Sequence, residues 1–182
     1  MKMKPSSHAK RFLAGIAMSV IVVALALPAA AQQKAADKKL AFGGALGLQT
    51  DTPDGTAFAL GFYGDYFLTP EVSVGPLLQM GFTNDLRQAG LSAQAKYTLN
   101  VSGMTELKPH VQAGIGLIHA DLDRPGRGSQ SDTSYLIPFG VGAEYRLTDS
   151  VSLDTSFLFN INNLDLRDRE RVFFTWLIGL KF

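Results

Sequence analysis

From residue 39 onward, large apolar residues alternate with small or polar ones at a period of two. Eight segments carry this pattern, at approximately 39–49, 57–68, 71–82, 88–99, 107–119, 133–147, 151–161 and 170–182, separated by turn-type residues. Strict alternation is the signature of β-strands, and no segment offers the i, i+3, i+4, i+7 stripe of an amphipathic helix. In the second segment Phe58, Leu60, Phe62, Tyr66 and Leu68 alternate with Ala57, Ala59, Gly61, Tyr63 and Asp65. In the last, Val172, Phe174, Trp176, Ile178, Leu180 and Phe182 alternate with Arg171, Phe173, Thr175, Leu177, Gly179 and Lys181. Three prolines interrupt the pattern, each without an N–H for a ladder bond. Pro109 sits near a strand start, and Pro76 and Pro138 are expected to mark bulges or strand ends.

One face of every segment is therefore large and apolar, and the other is mostly Gly, Ala, Ser, Gln and Thr. Alternation alone does not say which face points outward. A soluble, lipocalin-like barrel would bury the apolar face and solvate the other. The second face carries too few charges for that, because most charges fall in connections such as DLDRPGRGSQSD and NNLDLRDRER. Its small residues suit the inside of a narrow barrel, where about eight strands leave room only for side chains. The apolar face then meets lipid, and segments of roughly 10 residues match a tilted membrane-spanning strand.

Strand parity agrees. With a periplasmic N-terminus, the inner connections are LTPE, LNVSGMTE and RLTDS. The outer ones are QTDTPDGT, TNDLRQ, HADLDRPGRGSQSD and NINNLDLRDRE. The two longest connections are both outer, which is the expected asymmetry of outer-membrane barrels.

The N-terminal residues fit export. Lys2, Lys4, Lys10 and Arg11 precede an apolar run from Phe12 to Leu27, and Ala29-Ala30-Ala31 forms an A-x-A cleavage site. Residues 1–31 are expected to be a secretory signal peptide. An N-terminal anchor is disfavoured, because the apolar run is shorter than the ~20 residues a spanning helix needs. Residues 32–38 form a short periplasmic leader, and 39–182 the barrel. Removing the signal takes away 4 of 17 basic residues and none of the 16 acids, so the mature charge is 13 − 16 = −3. That offers no basic stripe for nucleic acid. The chain has no cysteine, which excludes a disulfide framework and thiolate chemistry. Nothing in the motifs implies a cofactor or a metal.

The final residues carry a resemblance. Phe174, Trp176, Ile178, Leu180 and Phe182 resemble the C-terminal signature strand of bacterial outer-membrane β-barrels, which the barrel-assembly machinery recognises. With eight strands, residues 39–182 resemble the small barrels of the OmpA, OmpX and OmpW type, without an OmpA-like periplasmic domain. The resemblance implies an all-β, eight-stranded, antiparallel up-and-down transmembrane barrel in the outer membrane. Its partners would be membrane lipid, lipopolysaccharide and, during biogenesis, the assembly machinery. The resemblance says nothing of oligomeric state.

Six charges share the inward parity near the inner turns: Asp65, Lys96, Lys108, Glu144, Arg146 and Asp154. An unpaired charge in a narrow lumen costs several kcal/mol, so three acids and three bases are expected to pair. The best pairs are Lys108 with Glu144 and Arg146 with Asp154, and Gln79, His110 and Gln112 could extend the network. This reads as a structural plug, with a proton or ion path as the lesser alternative. His119 has outward parity at the outer rim with Asp121 two residues on, but no serine of matching parity lies beside it on its own strand. Ser134, on the next strand, faces inward. A rim histidine is therefore the expected role, and a lipid-modifying centre the minor one. Asp121, Asp123, Arg124, Arg127 and Asp132, with Arg167 and Arg169, are expected to meet water or lipopolysaccharide phosphates and their divalent ions. No EF-hand spacing is present.

The functional expectation is a structural envelope barrel with short surface loops, its interior plugged by the charge network, and no catalytic activity. The alternative is a narrow OmpW-like channel for small or apolar molecules, for which the inward Gly114, Gly116, Gly140 and Gly142 would leave space. Finally, DYFLTPEVSV (65–74) and EYRLTDSVSL (144–153) repeat one phrase, and KYTLN (96–100) repeats its first half. Each places a tyrosine (Tyr66, Tyr97, Tyr145) outward just above an inner turn, where an apolar ring with a polar tip suits the interface.

Overall fold

The computed structural model describes residues 39–101, 103, 106–124, 128–166 and 171–182. The expected signal segment and leader, with Arg127, Arg167 and Arg169, lie outside the described residues. Eight strands follow one another: β1 (Leu40–Thr52), β2 (Gly55–Phe67), β3 (Val72–Phe82), β4 (Leu86–Thr98), β5 (Leu107–Arg124), β6 (Gly128–Arg146), β7 (Ser152–Asn162) and β8 (Val172–Lys181). Each pairs antiparallel with its sequence neighbours, and β8 pairs with β1 to close the barrel. Closure removes the free sheet edges, so the strand ladders supply backbone partners where lipid offers none.

The faces fall as the alternation requires. Leu46, Phe58, Leu91, Ile115, Leu117, Phe139, Val141 and Trp176 stand exposed on the outside. Tyr135 and Tyr145 on β6 are 145 − 135 = 10 residue steps apart. At ~3.4 Å per residue and a tilt of ~40°, that is a belt roughly 26 Å tall, the height of an outer-membrane hydrocarbon band. One polar side chain in this belt, Thr155, has both its needs met: its hydroxyl donates to the Leu177 carbonyl (3.1 Å) and accepts from the Trp176 indole (3.1 Å).

Three features differ from expectation. Pro76 and Pro138 neither bulge nor end their strands. The β2–β3 ladder lacks pairs only from Gly64 to Asp65, and the β5–β6 ladder only around Pro138, with register preserved on both sides. Each proline withholds one donor and fits the extended backbone otherwise. The register shift lies instead between Gln49 and Thr52, where Asp51 takes a positive φ of 56°. Second, β5 and β6 run on as a paired hairpin to Arg124 and Gly128, through residues whose polarity reads as loop. The alternation persists there in polar form, with Leu122 still turned inward. Third, the β7–β8 connection sends Leu164 and Leu166 into the barrel.

The repeated phrase has a local cause. In Leu68-Thr69-Pro70-Glu71-Val72, Thr69 N–H donates to the Val72 carbonyl (3.2 Å), and Val72 N–H donates to the Thr69 hydroxyl (3.0 Å). In Leu147-Thr148-Asp149-Ser150-Val151 the same two bonds form, at 3.0 Å and 3.0 Å. Thr83 closes the outer β3–β4 turn on Leu86 in the same way, at 2.9 Å and 2.8 Å. A threonine opening a four-residue turn satisfies backbone donors that the ladder leaves behind.

Candidate functional site in the barrel interior

The lumen has two halves of different chemistry. Near the inner end, β2, β4, β6, β7 and β8 bring together Asp65, Lys96, Glu144, Asp154 and Lys181. Asp65 Oδ2 accepts from Lys96 Nζ (3.1 Å) and Lys181 Nζ (2.9 Å). Glu144 Oε1 accepts from Lys181 Nζ (2.5 Å) and lies 3.9 Å from Lys96 Nζ. Asp154 Oδ2 accepts from the Tyr63 hydroxyl (2.9 Å) and lies 3.6 Å from Lys96 Nζ, while Asp154 Oδ1 accepts from Ser156 (3.2 Å). The two ammonium groups also stand over aromatic rings, Lys96 4.8 Å from the centre of Tyr63 and Lys181 5.0 Å from that of Phe67.

Register explains this arrangement. Glu144 on β6 stands directly opposite Asp154 on β7. Like charges so placed repel, and they draw lysines across the lumen from β4 and β8. Asp65, Lys96, Glu144 and Asp154 thus join one network, as the inward parity implies. The expected pairs do not form. Lys108 is opposite Glu144 in register, but that carboxylate turns to Lys181. Arg146 is opposite Ser152, one inward step from Asp154. Both cations instead line an open cavity of about 350 Å³ at the inner mouth, with Glu106 and Asp149. The buried set is therefore two lysines with three carboxylates, not three with three.

Two members escaped the sequence reading. Lys181 has inward parity, but its place at the chain end hides that barrel closure carries it to Asp65. Tyr63 also has inward parity, and its reach depends on a neighbour: a Cβ at Gly43 would occupy the space of the Tyr63 ring. Similarly, a Cβ at Gly142 would run into the His110 ring. His110 is buried beside Ser156, with Nε2 at 3.5 Å from its hydroxyl. The inward glycines thus make room for large neighbours. The enclosed cavity at this level, lined among others by Tyr63, Lys96, Gln112 and Asp154, measures about 20 Å³, roughly one water.

Above the charges lies a layer of amides and hydroxyls. Gln79 Nε2 donates to Asn160 Oδ1 (3.0 Å), Asn160 Nδ2 to Thr175 (2.9 Å), and Gln88 Nε2 to Gln49 Oε1 (2.6 Å). Higher still, the outer mouth is apolar: Leu86, Ile118, Ala120, Leu122, Leu136, Leu164, Leu166 and Phe173 form one buried cluster. This cluster occupies the outer half, where small residues were expected to leave a cavity. Its signal was legible, because Asn162, Leu164 and Leu166 continue the inward parity of β7 past its end.

Outside, at the outer rim, His119 stands opposite Thr133. Its Nδ1 is 2.7 Å from the Thr133 hydroxyl, and its Nε2 is 3.4 Å from Asp121 Oδ1. The outward hydroxyl missing from its own strand is thus supplied by the next one. Ser134 faces the other way and accepts the Asn163 N–H (3.0 Å). Tyr66, Tyr97 and Tyr145 are exposed at the inner ends of β2, β4 and β6, and the Tyr145 hydroxyl donates to Glu106 (3.0 Å). On β8, Trp176, Ile178 and Leu180 face outward, as does Phe182 just past its end, and Phe174 packs edge-on against Phe159 with centroids 4.9 Å apart.

Known proteins share this architecture. The structure of Neisserial surface protein A (NspA) superimposes with a TM-score of 0.60 at 17% identity, covering 78% of this chain and 94% of that one. The N-terminal β-barrel domain of Pseudomonas aeruginosa OprF gives 0.58 at 18% identity, covering 79% and 96%. Ail of Yersinia pestis gives 0.54 at 15%, covering 79% and 96%. These likenesses concern the fold. No curated protein sequence matches the chain. The family model described as the outer membrane protein beta-barrel domain matches residues 19–171, and with a closed eight-stranded barrel behind that match, the chain belongs to the family of outer-membrane β-barrel proteins.

Proposed function

We propose that this protein is a resident structural barrel of the outer membrane, exported by its N-terminal segment, whose interior is closed to ions and which catalyses no reaction. The observation that carries the reading is the network of Lys96 and Lys181 with Asp65, Glu144 and Asp154, which spans the lumen from five strands. Two lysines neutralise most of the buried carboxylate charge, and their removal would leave uncompensated charge in a narrow space. The polar β5–β6 hairpin, with Asp121 and Asp123 on its outward face, suits contact with lipopolysaccharide phosphates through divalent ions. The tyrosines at the inner ends suit an interfacial girdle. The outward row ending at Phe182 suits recognition by the barrel-assembly machinery during insertion. Liposome swelling tests the closed interior. Vesicles carrying the refolded protein should take up small sugars no faster than empty ones, and clearly faster uptake would support the narrow-channel alternative.

The Thr133–His119–Asp121 chain favours a second reading, modification of outer-leaflet lipid, since a hydroxyl, an imidazole and a carboxylate in sequence can activate a nucleophile. Lipid A and phospholipid mass profiles of cells expressing wild type and His119→Ala separate the two readings. The structural reading expects identical profiles.

A further inference from the structure

The upper lumen holds a feature that a purely structural barrel does not need. Leu164 and Leu166 are buried in the outer mouth, yet they belong to the β7–β8 connection rather than to a strand. Three successive backbone N–H groups hold this connection, and each donates to a side chain. Asn163 donates to Ser134 Oγ (3.0 Å), Leu164 to Asn162 Oδ1 (3.0 Å) and Asp165 to Asp132 Oδ2 (2.6 Å). A strand ladder would use carbonyls fixed in the neighbouring backbone. Side-chain acceptors can release by rotation, and water can replace them.

The floor beneath the stopper is unsatisfied. Gln88 Oε1, Gln79 Oε1 and Asn162 Nδ2 are buried without a hydrogen-bond partner. Gln88 stands opposite Ala120 of the apolar cluster, and Asn162 stands opposite Leu136. The Gln79 orientation follows from its bond to Asn160, whose own Nδ2 donates to Thr175 and to the Phe173 carbonyl. Two acceptors and one donor thus border a socket otherwise walled by Leu86, Ile118, Leu122, Leu136 and Phe173. Orphaned polar atoms at such a place ask for a group that both donates and accepts.

We infer that the outer mouth is a dead-end binding socket, filled at rest by Leu164 and Leu166, for a neutral amphiphile with an alcohol or amide head and a medium-length alkyl tail. The head enters first and meets Gln88, Gln79 and Asn162. The tail replaces Leu164 and Leu166 against the apolar wall. The exchange trades like for like in apolar burial and gains the hydrogen bonds the resting state lacks. This goes beyond the structural reading and does not depend on it, because the socket ends above the charge network.

The test is methyl NMR of leucine-labelled protein in lipid nanodiscs, titrated with hexan-1-ol. Leu86, Leu122, Leu136, Leu164 and Leu166 should shift along one saturable curve, with contacts from alcohol methylenes to Leu136. Lipid-facing Leu46, Leu91 and Leu117 should only drift linearly as alcohol enters the bilayer. Interior methyls that stay fixed, or that drift linearly with the others, overturn the inference. Gln88→Met should weaken the saturable affinity about tenfold, the loss of one hydrogen bond. If that variant does not fold, hexane replaces it as the probe in wild type. Saturable binding of hexane as tight as that of hexan-1-ol overturns the role of the polar floor.

Discussion

The two halves of the lumen solve one packing problem by opposite means. The inner half fills its space with charges that must find each other: Lys96 and Lys181 reach three carboxylates on other strands. The outer half fills its space with leucines and a phenylalanine that need only touch. Buried ion pairs contribute little net stability, but losing one partner is costly, whereas an apolar cluster loses in proportion to the volume removed. The inner half should therefore fail abruptly and the outer half by degrees.

Lys96→Met should give the largest effect. It leaves Asp65 and Asp154 without their shared cation and should lower unfolding free energy by about 3–5 kcal/mol in denaturant titrations from lipid vesicles. Leu136→Ala removes a fully buried wall of the outer cluster and should cost about 2–4 kcal/mol in the same assay. Tyr63→Phe deletes one hydrogen bond to Asp154, which keeps Ser156 and Lys96, and should cost about 1–2 kcal/mol. Lys108→Met, at the open inner mouth, should change stability by no more than about 0.5 kcal/mol. If Lys108→Met were as damaging as Lys96→Met, the network would have been drawn around the wrong cations.

The smallest effect concerns pH at the outer rim. The backbone N–H groups of Asp165 and Thr133 hold the Asp132 carboxyl below the ordinary carboxylate range. A depressed value in the folded state means that its hold on the β7–β8 connection is complete above the ordinary carboxylate value of about 3.9 and fades as pH falls through the lower folded value. Amide hydrogen exchange at Asp165, corrected for intrinsic rates, should be unchanged between pH 7 and 5. Asp132→Asn should accelerate it at every pH.

Much of this fold was legible because membrane barrels impose one rule on every strand. Parity assigned Leu117 to lipid and Asp154 to the lumen, and both stand there. Parity also placed Lys181 and Tyr63 inside, but not beside a partner. Partners depend on side-chain reach across the lumen, and reach depends on details such as the missing Cβ at Gly43. Pairing across adjacent strands favoured Lys108 for Glu144, whereas the carboxylate opposite Glu144 made neutralisation by Lys181 from across the lumen the better solution. The hairpin beyond the membrane was missed for a related reason. Out of lipid, alternation need no longer be apolar, so Asp121, Asp123, Ser129 and Ser131 read as loop although their backbone pairing continues.

The central claim is that the inner charge network closes the lumen, and single-channel recording in planar bilayers tests it most directly. Wild-type protein, confirmed as folded by heat-modifiable migration, should give no reproducible current steps across the voltage range that the bilayer tolerates. Discrete steps of uniform size from the folded wild type would contradict the account.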